Sequence, residues 1–569
     1  MTGVIRANRS PKGPAAVYAT ATAAILVLLA SLALTARQPP PPAIAELTPE
    51  AQHQIRQAPN QLNSKFGSAN GGPGAGGLAP TTTTQPAAAG STTTVAAAPP
   101  PIYVPAVHQC YGNPPRQISF DTQSPPCIAY WAGNNGGATT RGVTGNEIKV
   151  ALLSNGADQR AVADLQTFFN RTFEFYGRQL HLDPGGQGPS SSYSGDECTY
   201  QRSVADELAA EDDFATTDPD GQTPACFLDE AAADHVVTVA GFQWFGAAGL
   251  ANRSPYLWQY QMGQDQEMAL AGRAICADLA GRPASYSPSA ATASKPRKFG
   301  AIIQYYAGQA PPSVDLLRSQ LGQCGSGLAA TSMIESQQTT NGASLAQDYA
   351  QVYTADKQAV LNMQTGGVTT VFCWCQVFME DALGPAADAQ FYDPEWVVVG
   401  PQQDLDITIK AFWADAAQEH GLMGLTVDPR QVPYVETTLN QAIAAVDPGY
   451  EIDTDEATWL HTQDVYWMLL LLASGIQMAG PDLTPATFEH ALQTTTFPNP
   501  YSPQMEGAVG FAGGSFSMTT DADLMWWSAA AASPLPDEGV GTWCYVDGRY
   551  TASNWPPGPA SLFSGRCDA

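Results

Sequence analysis

Glu147-Ile148-Lys149-Val150-Ala151-Leu152-Leu153 is a short apolar run, and after it Val162, Leu165, Phe168, Phe169 and Phe173 recur at helical spacing. A run of this length reads as a buried strand, and the spacing that follows reads as a helix packed on one face. A strand feeding a helix is the first half of a βαβ unit.

The alternation continues outward from that pair. Further strands are expected at 179–182 and 235–240, with a helix at 200–210 between them. After Pro255 the pattern restarts, with a helix at 264–279, strands at 299–303 and 328–334, and a helix at 314–321. A helix at 343–363 and strands at 368–372 and 396–399 complete a second block as long as the first. Short apolar strands alternating with helices predict mostly parallel sheets. Helices at 458–478 and 485–493, the latter capped by Thr484 with Pro485 at its first position, come after both blocks, so one lobe is expected to be discontinuous.

Upstream of the α/β body, residues 15–36 form a 22-residue run without charge. As a helix it is about 33 Å long, enough to cross a bilayer core of roughly 30 Å. Arg6, Arg9 and Lys12 precede it, which places residues 1–14 in the cytoplasm and the remainder outside. A cleaved signal peptide, using Ala33, Thr35 and Ala36 near its end, is the alternative. The run exceeds the usual apolar core of such peptides, which favours an uncleaved single-pass anchor. Residues 37–104 are rich in Pro, Gly, Thr and Ala and read as a flexible linker spanning on the order of 45 Å.

The formal net charge is −28. The first 100 residues hold six basic residues against Glu46 and Glu50, so the remainder carries 25 − 6 = 19 basic against 53 − 2 = 51 acidic residues. Such a field repels phosphate backbones, so nucleic acid is excluded as a partner. The ten cysteines lack metal-type spacing and fit disulfides in an oxidising compartment. Short loop closures suggest Cys110 with Cys127, Cys198 with Cys226 and Cys544 with Cys567. The pairing of Cys276, Cys324, Cys373 and Cys375 stays open.

Arg141-Gly142-Val143-Thr144-Gly145-Asn146-Glu147-Ile148-Lys149-Val150 resembles the opening of the type I periplasmic binding proteins of the leucine/isoleucine/valine-receptor family. Tyr176-Gly177-Arg178, Ser254-Pro255-Tyr256-Leu257-Trp258 and the helix at 484–492 align in the same order, so the resemblance spans about residues 140–530. It implies an α/β fold of two parallel-sheet, Rossmann-like lobes joined by a hinge of three crossovers, with a ligand cleft between them. It also implies a solute-binding role beside an ABC transporter, as in amino acid transport, and lends support to a Cys198–Cys226 disulfide in the first lobe.

The resulting division is residues 105–140 as a disulfide-bearing N-terminal extension, 141–262 as lobe 1 and 263–405 as lobe 2. Residues 406–530 return to both lobes, and 531–569 form a disulfide-bearing C-terminal extension. Ligands of open α/β sheets collect at the carboxyl ends of strands. That rule selects Ser154, Asn155, Gly156 and Asp158 after the first strand, Gln243 and Trp244 after a later one, and Tyr305, Tyr306 and Trp374 across the cleft. The stretch Gly241-Phe242-Gln243-Trp244-Phe245 departs from the hydroxyl-bearing stretch that family members carry there, which puts an amino-acid ligand in question.

The chain contains no Gly-x-Ser-x-Gly, no His-Glu-x-x-His, no Walker loop and no Gly-x-Gly-x-x-Gly after its first strand. His461 and Asp464 stand one helical turn apart without a third partner in the pattern. The acid runs Glu211-Asp212-Asp213 and Asp218-Pro219-Asp220-Gly221 lack the ligand alternation of a calcium loop. No enzyme, cofactor or metal site is expected. Two functional readings follow: an extracytoplasmic solute receptor that captures a small polar, amino-acid-like molecule for a transporter or sensor, and a non-catalytic scaffold that docks to other cell-envelope proteins.

Overall fold

The computed structural model describes residues 110–153, 156–183, 197–218, 225–241, 245–307, 310–336, 342–377, 379–413, 416–451, 456–497, 507–511, 513–535, 538–558, 561–563 and 567. The expected membrane anchor at 15–36 and the linker at 37–104 lie outside them. Among the described residues no helix is long and apolar enough to cross a membrane.

In chain order the first lobe opens with β1 (Glu147–Leu152), α1 (Gln159–Thr172), β2 (Gln179–Asp183), α2 (Glu197–Ala210) and β3 (Ala215–Asp218). It continues with α3 (Ala225–Ala233), β4 (Val237–Ala240), α4 (Ala247–Ala251) and β5 (Leu257–Gln259). The second lobe opens with α5 (Gln264–Ala274), which runs into a π turn at Ile275–Leu279, then α6 (Ala290–Ala293), β6 (Phe299–Tyr306), α7 (Val314–Gln323) and β7 (Leu328–Ser336). Then come α8 (Gly342–Thr365), β8 (Thr370–Trp374), α9 (Leu383–Ala389), β9 (Glu395–Val399), α10 (Asp406–Phe412), α11 (Ala416–Glu419) and β10 (Leu422–Thr426). The chain ends with α12 (Thr438–Ala444), α13 (Glu456–Ala479), α14 (Pro485–Thr494), β11 (Ala522–Ala532) and β12 (Val540–Tyr550).

Two sheets result. The first has the order β2-β1-β3-β4-β5 with every pair parallel. The second repeats that order as β7-β6-β8-β9-β10, again parallel, and then adds β11 and β12 antiparallel at its edge. The molecule is thus mixed α/β, with two doubly wound halves. The helix-rich crossovers cover both faces of each sheet, so the central strands β4, β8 and β9 are buried along their whole length.

The elements form for local reasons. Asp158 caps α1 by accepting from the backbone N–H groups of Arg160 at 2.8 Å and Ala161 at 3.5 Å. The face of α1 bearing Ala161, Val162, Leu165, Phe168 and Phe169 is buried. Thr484 caps α14 by accepting from Thr487 N, with Pro485 in the first turn. Helix α13 is buried on every side from Met468 to Ala473 and packs against α1, β3 and β4, as expected of a helix apolar all round. Trp258 packs at ring-centroid distances of 4.9 Å from Phe516, 5.3 Å from Phe511 and 5.8 Å from Phe488. Late helices and the segment around residue 511 therefore complete the first lobe.

Several expectations shift. Strand β6 continues three residues beyond 303, so Tyr305 and Tyr306 lie within it rather than after it. Strands β3, β5, β10, β11 and β12 escaped the sequence reading, because each is short, interrupted by polar residues or rich in Ala and Gly. The expected boundary at 530 cuts through β11. Residues 540–550 pair back on that strand from Ala522↔Tyr550 to Ala532↔Val540, so this part of the C-terminal segment is an edge of the second sheet.

The N-terminal stretch is equally integrated into the first lobe. Gln117 Nε2 donates to Thr172 O at 2.6 Å, Tyr260 OH donates to Gln123 Oε1 at 2.9 Å, and the hydroxyl of Tyr466 donates to Asp121. Disulfides join Cys110–Cys127, Cys198–Cys226, Cys276–Cys324, Cys373–Cys375 and Cys544–Cys567.

Candidate functional site

The chain passes between the sheets three times: after Tyr260, after β10, and after Thr519, whose N–H donates to Tyr260 O at 3.0 Å. Where the first two passages meet the carboxyl ends of β9 and β10, a recess opens. Its lining is Gln261, Glu267, Gly400, Pro401, Asp404, Leu425, Thr426, Val427 and Asp428, around a cavity of about 10 Å³, so in this conformation the lobes leave room there for about one water molecule. The strand ends place it where open α/β sheets bind ligands.

Three carboxyl groups face one another there, and among the described residues no lysine or arginine lines the recess. Glu267, in the first turn of α5, is 3% exposed. Burial, reinforced by the charge of Asp404 and offset by the Gly400 N–H, pushes its carboxyl up to about 8. Asp404 is also raised by burial, although it accepts the Thr426 hydroxyl and the charge of Arg549, behind the lining, pulls it down. Asp428 is raised by burial first and by Asp404 second. Gln261 Nε2 donates to Asp428 Oδ2 at 2.6 Å, tying the first passage to the second, while Asp428 Oδ1 has no hydrogen-bond partner. Such a wall of acids complements a cationic group on a ligand.

The residues selected from the sequence fall differently. Ser154, Asn155, Gln243 and Trp244 lie outside the described residues. Gly156 has φ +114° in the turn after β1, a conformation that favours glycine. Asp158 is not a free ligand group: one oxygen caps α1 and the other accepts from Tyr450 OH at 2.6 Å. Trp374 is fully buried because β8 sits in the middle of the second sheet, and Tyr306 is buried at the end of β6. Tyr305 is half-buried on the opposite face of the same strand.

Glu267, Asp404 and Asp428 were missed. Asp428 follows β10, a strand that was not read, and Glu267 looks in sequence like an ordinary acidic residue in the first turn of a helix. The usable signal was Asp404, which follows the carboxyl end of the clearly legible strand β9.

No protein-family model matches the chain, and no curated protein matches it. Among solved structures it is similar to the leucine-, isoleucine-, valine-, threonine- and alanine-binding protein of Brucella ovis in a closed conformation, with TM-score 0.48 and 12% identity over 72% of this chain and 96% of that one. It is also similar to a fatty acid ABC transporter substrate-binding protein from Thermomonospora curvata, with TM-score 0.47 and 13% identity over 75% and 100% of the two chains. A third is the solute-binding protein of an ABC transporter from Rhodopseudomonas palustris HaA2 in complex with p-hydroxybenzoic acid, with TM-score 0.46 and 11% identity over 72% and 98%.

Proposed function

We propose that this chain is an extracytoplasmic, non-catalytic solute receptor, anchored through residues 15–36. Its cleft takes a small polar, amino-acid-like molecule carrying a cationic nitrogen and presents it to a membrane transporter or sensor. The observation that carries this reading is the recess itself. Glu267, Asp404 and Asp428 converge at the carboxyl ends of parallel strands, beside the hinge, without a basic side chain in the lining. Burying three acids near a single guanidinium, that of Arg549, is costly, and an ammonium group on a solute offsets that cost. Five disulfides agree with an oxidising, extracytoplasmic setting.

Thermal unfolding of the full-length chain against amino acids, polyamines, sugars and peptides tests it. A solute at 100 times its dissociation constant adds about 2.7 kcal/mol. The reading requires a raised midpoint with amines, none with neutral sugars, and its loss in Glu267→Gln/Asp404→Asn. A flat response across the panel points to the second reading, an envelope scaffold. That reading is favoured by Phe391, which is 92% exposed at φ +53° on the turn before β9, as an aromatic offered to a partner protein would be.

A further inference from the structure

A buried carboxyl group with full hydrogen bonding draws several donors, and Glu395 in the second lobe shows how many in this chain. Its oxygens receive Arg297 Nε and Nη2 at 2.7 Å each, Thr370 OH at 2.6 Å and Tyr286 N at 2.9 Å. Asp356 on α8 and Glu380, in the 3-10 turn Glu380–Ala382 after β8, are as deeply buried. Among the described residues the charges acting on these two come from other acids, Asp381 on both and Glu380 on Asp356.

Each of the two instead faces one side-chain carboxamide, and Glu380 is also reached by its own backbone N–H. Gln304 Nε2 donates to Asp356 Oδ1 at 3.1 Å, and Gln403 Nε2 donates to Glu380 Oε1 at 3.0 Å. The remaining oxygens, Asp356 Oδ2 and Glu380 Oε2, are buried without a donor, and so is Gln403 Oε1. A carboxamide presents an N–H and a C=O side by side, and a protonated carboxyl presents a C=O and an O–H side by side. A proton on Glu380 Oε2 would be a donor for which Gln403 Oε1, the orphaned oxygen of the carboxamide already bonded to Oε1, is the matching acceptor. Gln304 Oε1, which accepts from Gln376 N at 2.9 Å, keeps a second lone pair for Asp356.

We propose that Asp356 and Glu380 are protonated, uncharged side chains closing two-point acid–carboxamide pairs with Gln304 and Gln403, and that the Glu380 pair is a positioning strut for the 400–404 loop. Gln403 stands beside Asp404 in the loop whose Gly400, Pro401 and Asp404 line the recess. The strut ties that loop to the turn after β8. The protonation holds whatever the cleft binds; the positioning role rests on the recess being the solute site. Burial pushes Glu380 up to about 8 and Asp356 well above the usual carboxylate range. The other titratable groups facing the pairs are Asp381, pushed up to about 6 by burial, and Tyr353, with Lys357 Nζ 4.2 Å above its ring.

The sign of the pH effect follows. The folded form holds a proton that the unfolded chain releases near pH 4, so stability is full below that pH and falls as pH rises toward 8. Glu380→Gln and Asp356→Asn reproduce the protonated acid without a proton to lose. Difference infrared spectroscopy of the full-length chain should show protonated-carboxyl C=O bands that each variant removes. Thermal midpoints between pH 5 and pH 9 should fall less in Glu380→Gln than in the wild type, while Glu380→Ala is destabilised throughout. Amide exchange at pH 9 should be faster at residues 400–404 in the wild type than in Glu380→Gln.

Wild-type spectra without such bands overturn the protonation, even if no variant folds. So does a Glu380→Gln protein as unstable at pH 6 as Glu380→Ala. Unchanged exchange at 400–404 overturns the strut.

Discussion

Arg549 Nε lies 3.2 Å from Asp521 Oδ1, and both side chains are fully buried. The same guanidinium donates to Asp428 O at 2.7 Å and Val427 O at 2.8 Å. A residue of the last strand thus holds both the second passage between the sheets and the end of the third. Arg549→Met removes the counter-charge of a buried carboxylate, which then keeps the Ala508 N–H at 2.9 Å, and takes a donor from each of two carbonyls, and unfolding in denaturant is expected to lose about 3–5 kcal/mol. A loss under about 1 kcal/mol would mean that water reaches the hinge.

The proposed solute binding carries a pH dependence set by Glu267. Because its carboxyl is pushed up to about 8, it is neutral at pH 6 and the recess holds less negative charge. Calorimetric titration with a permanently cationic solute should show affinity rising between pH 6 and pH 9, by at most about tenfold per unit. Glu267→Gln should flatten that rise. The stability linkage runs in the opposite direction, because a raised folded value makes stability fall from about pH 4 toward 8.

The disulfides should differ in weight. Cys198 and Cys226 are 28 residues apart, whereas Cys373 and Cys375 are two apart. Chain-entropy scaling gives about 3.5 kcal/mol for the longer loop and about 1 kcal/mol for the shorter. Denaturant unfolding of the paired alanine variants checks the order, and equal losses would show that loop entropy is not the dominant effect.

Gly475 in α13 is set by packing. A Cβ there would stand 2.2 Å from Phe488 Cε2, in a ring that also packs edge-on to Trp258. Gly475→Ala is expected to cost about 1–3 kcal/mol despite its better helix propensity. A stabilised variant would mean that α14 shifts freely against α13.

The doubly wound alternation was legible from residue 147 onward because a buried strand and a one-faced helix each write their period into the chain. The cap at Thr484 was legible in the same local way, whereas Asp158, selected as a ligand position by its place after β1, caps α1 instead. Strand β10 and the β11–β12 hairpin were not, since Leu422–Thr426 and the Ala-rich Ala522–Ala532 gain their strand character from neighbours in the sheet. Trp374 misled because a strand-end aromatic reads alike whether it faces a cleft or sits mid-sheet.

What the sequence by itself determined is the class of fold and the acidic character of the body, since periodicity and charge are properties of neighbouring residues. What only the tertiary structure decided is the site. Glu267, Asp404 and Asp428 are separated by up to 161 positions in the chain, and they meet because the first two passages between the sheets converge beside the strand ends. Their raised proton affinities come from burial, a property of the packed molecule that no local pattern encodes.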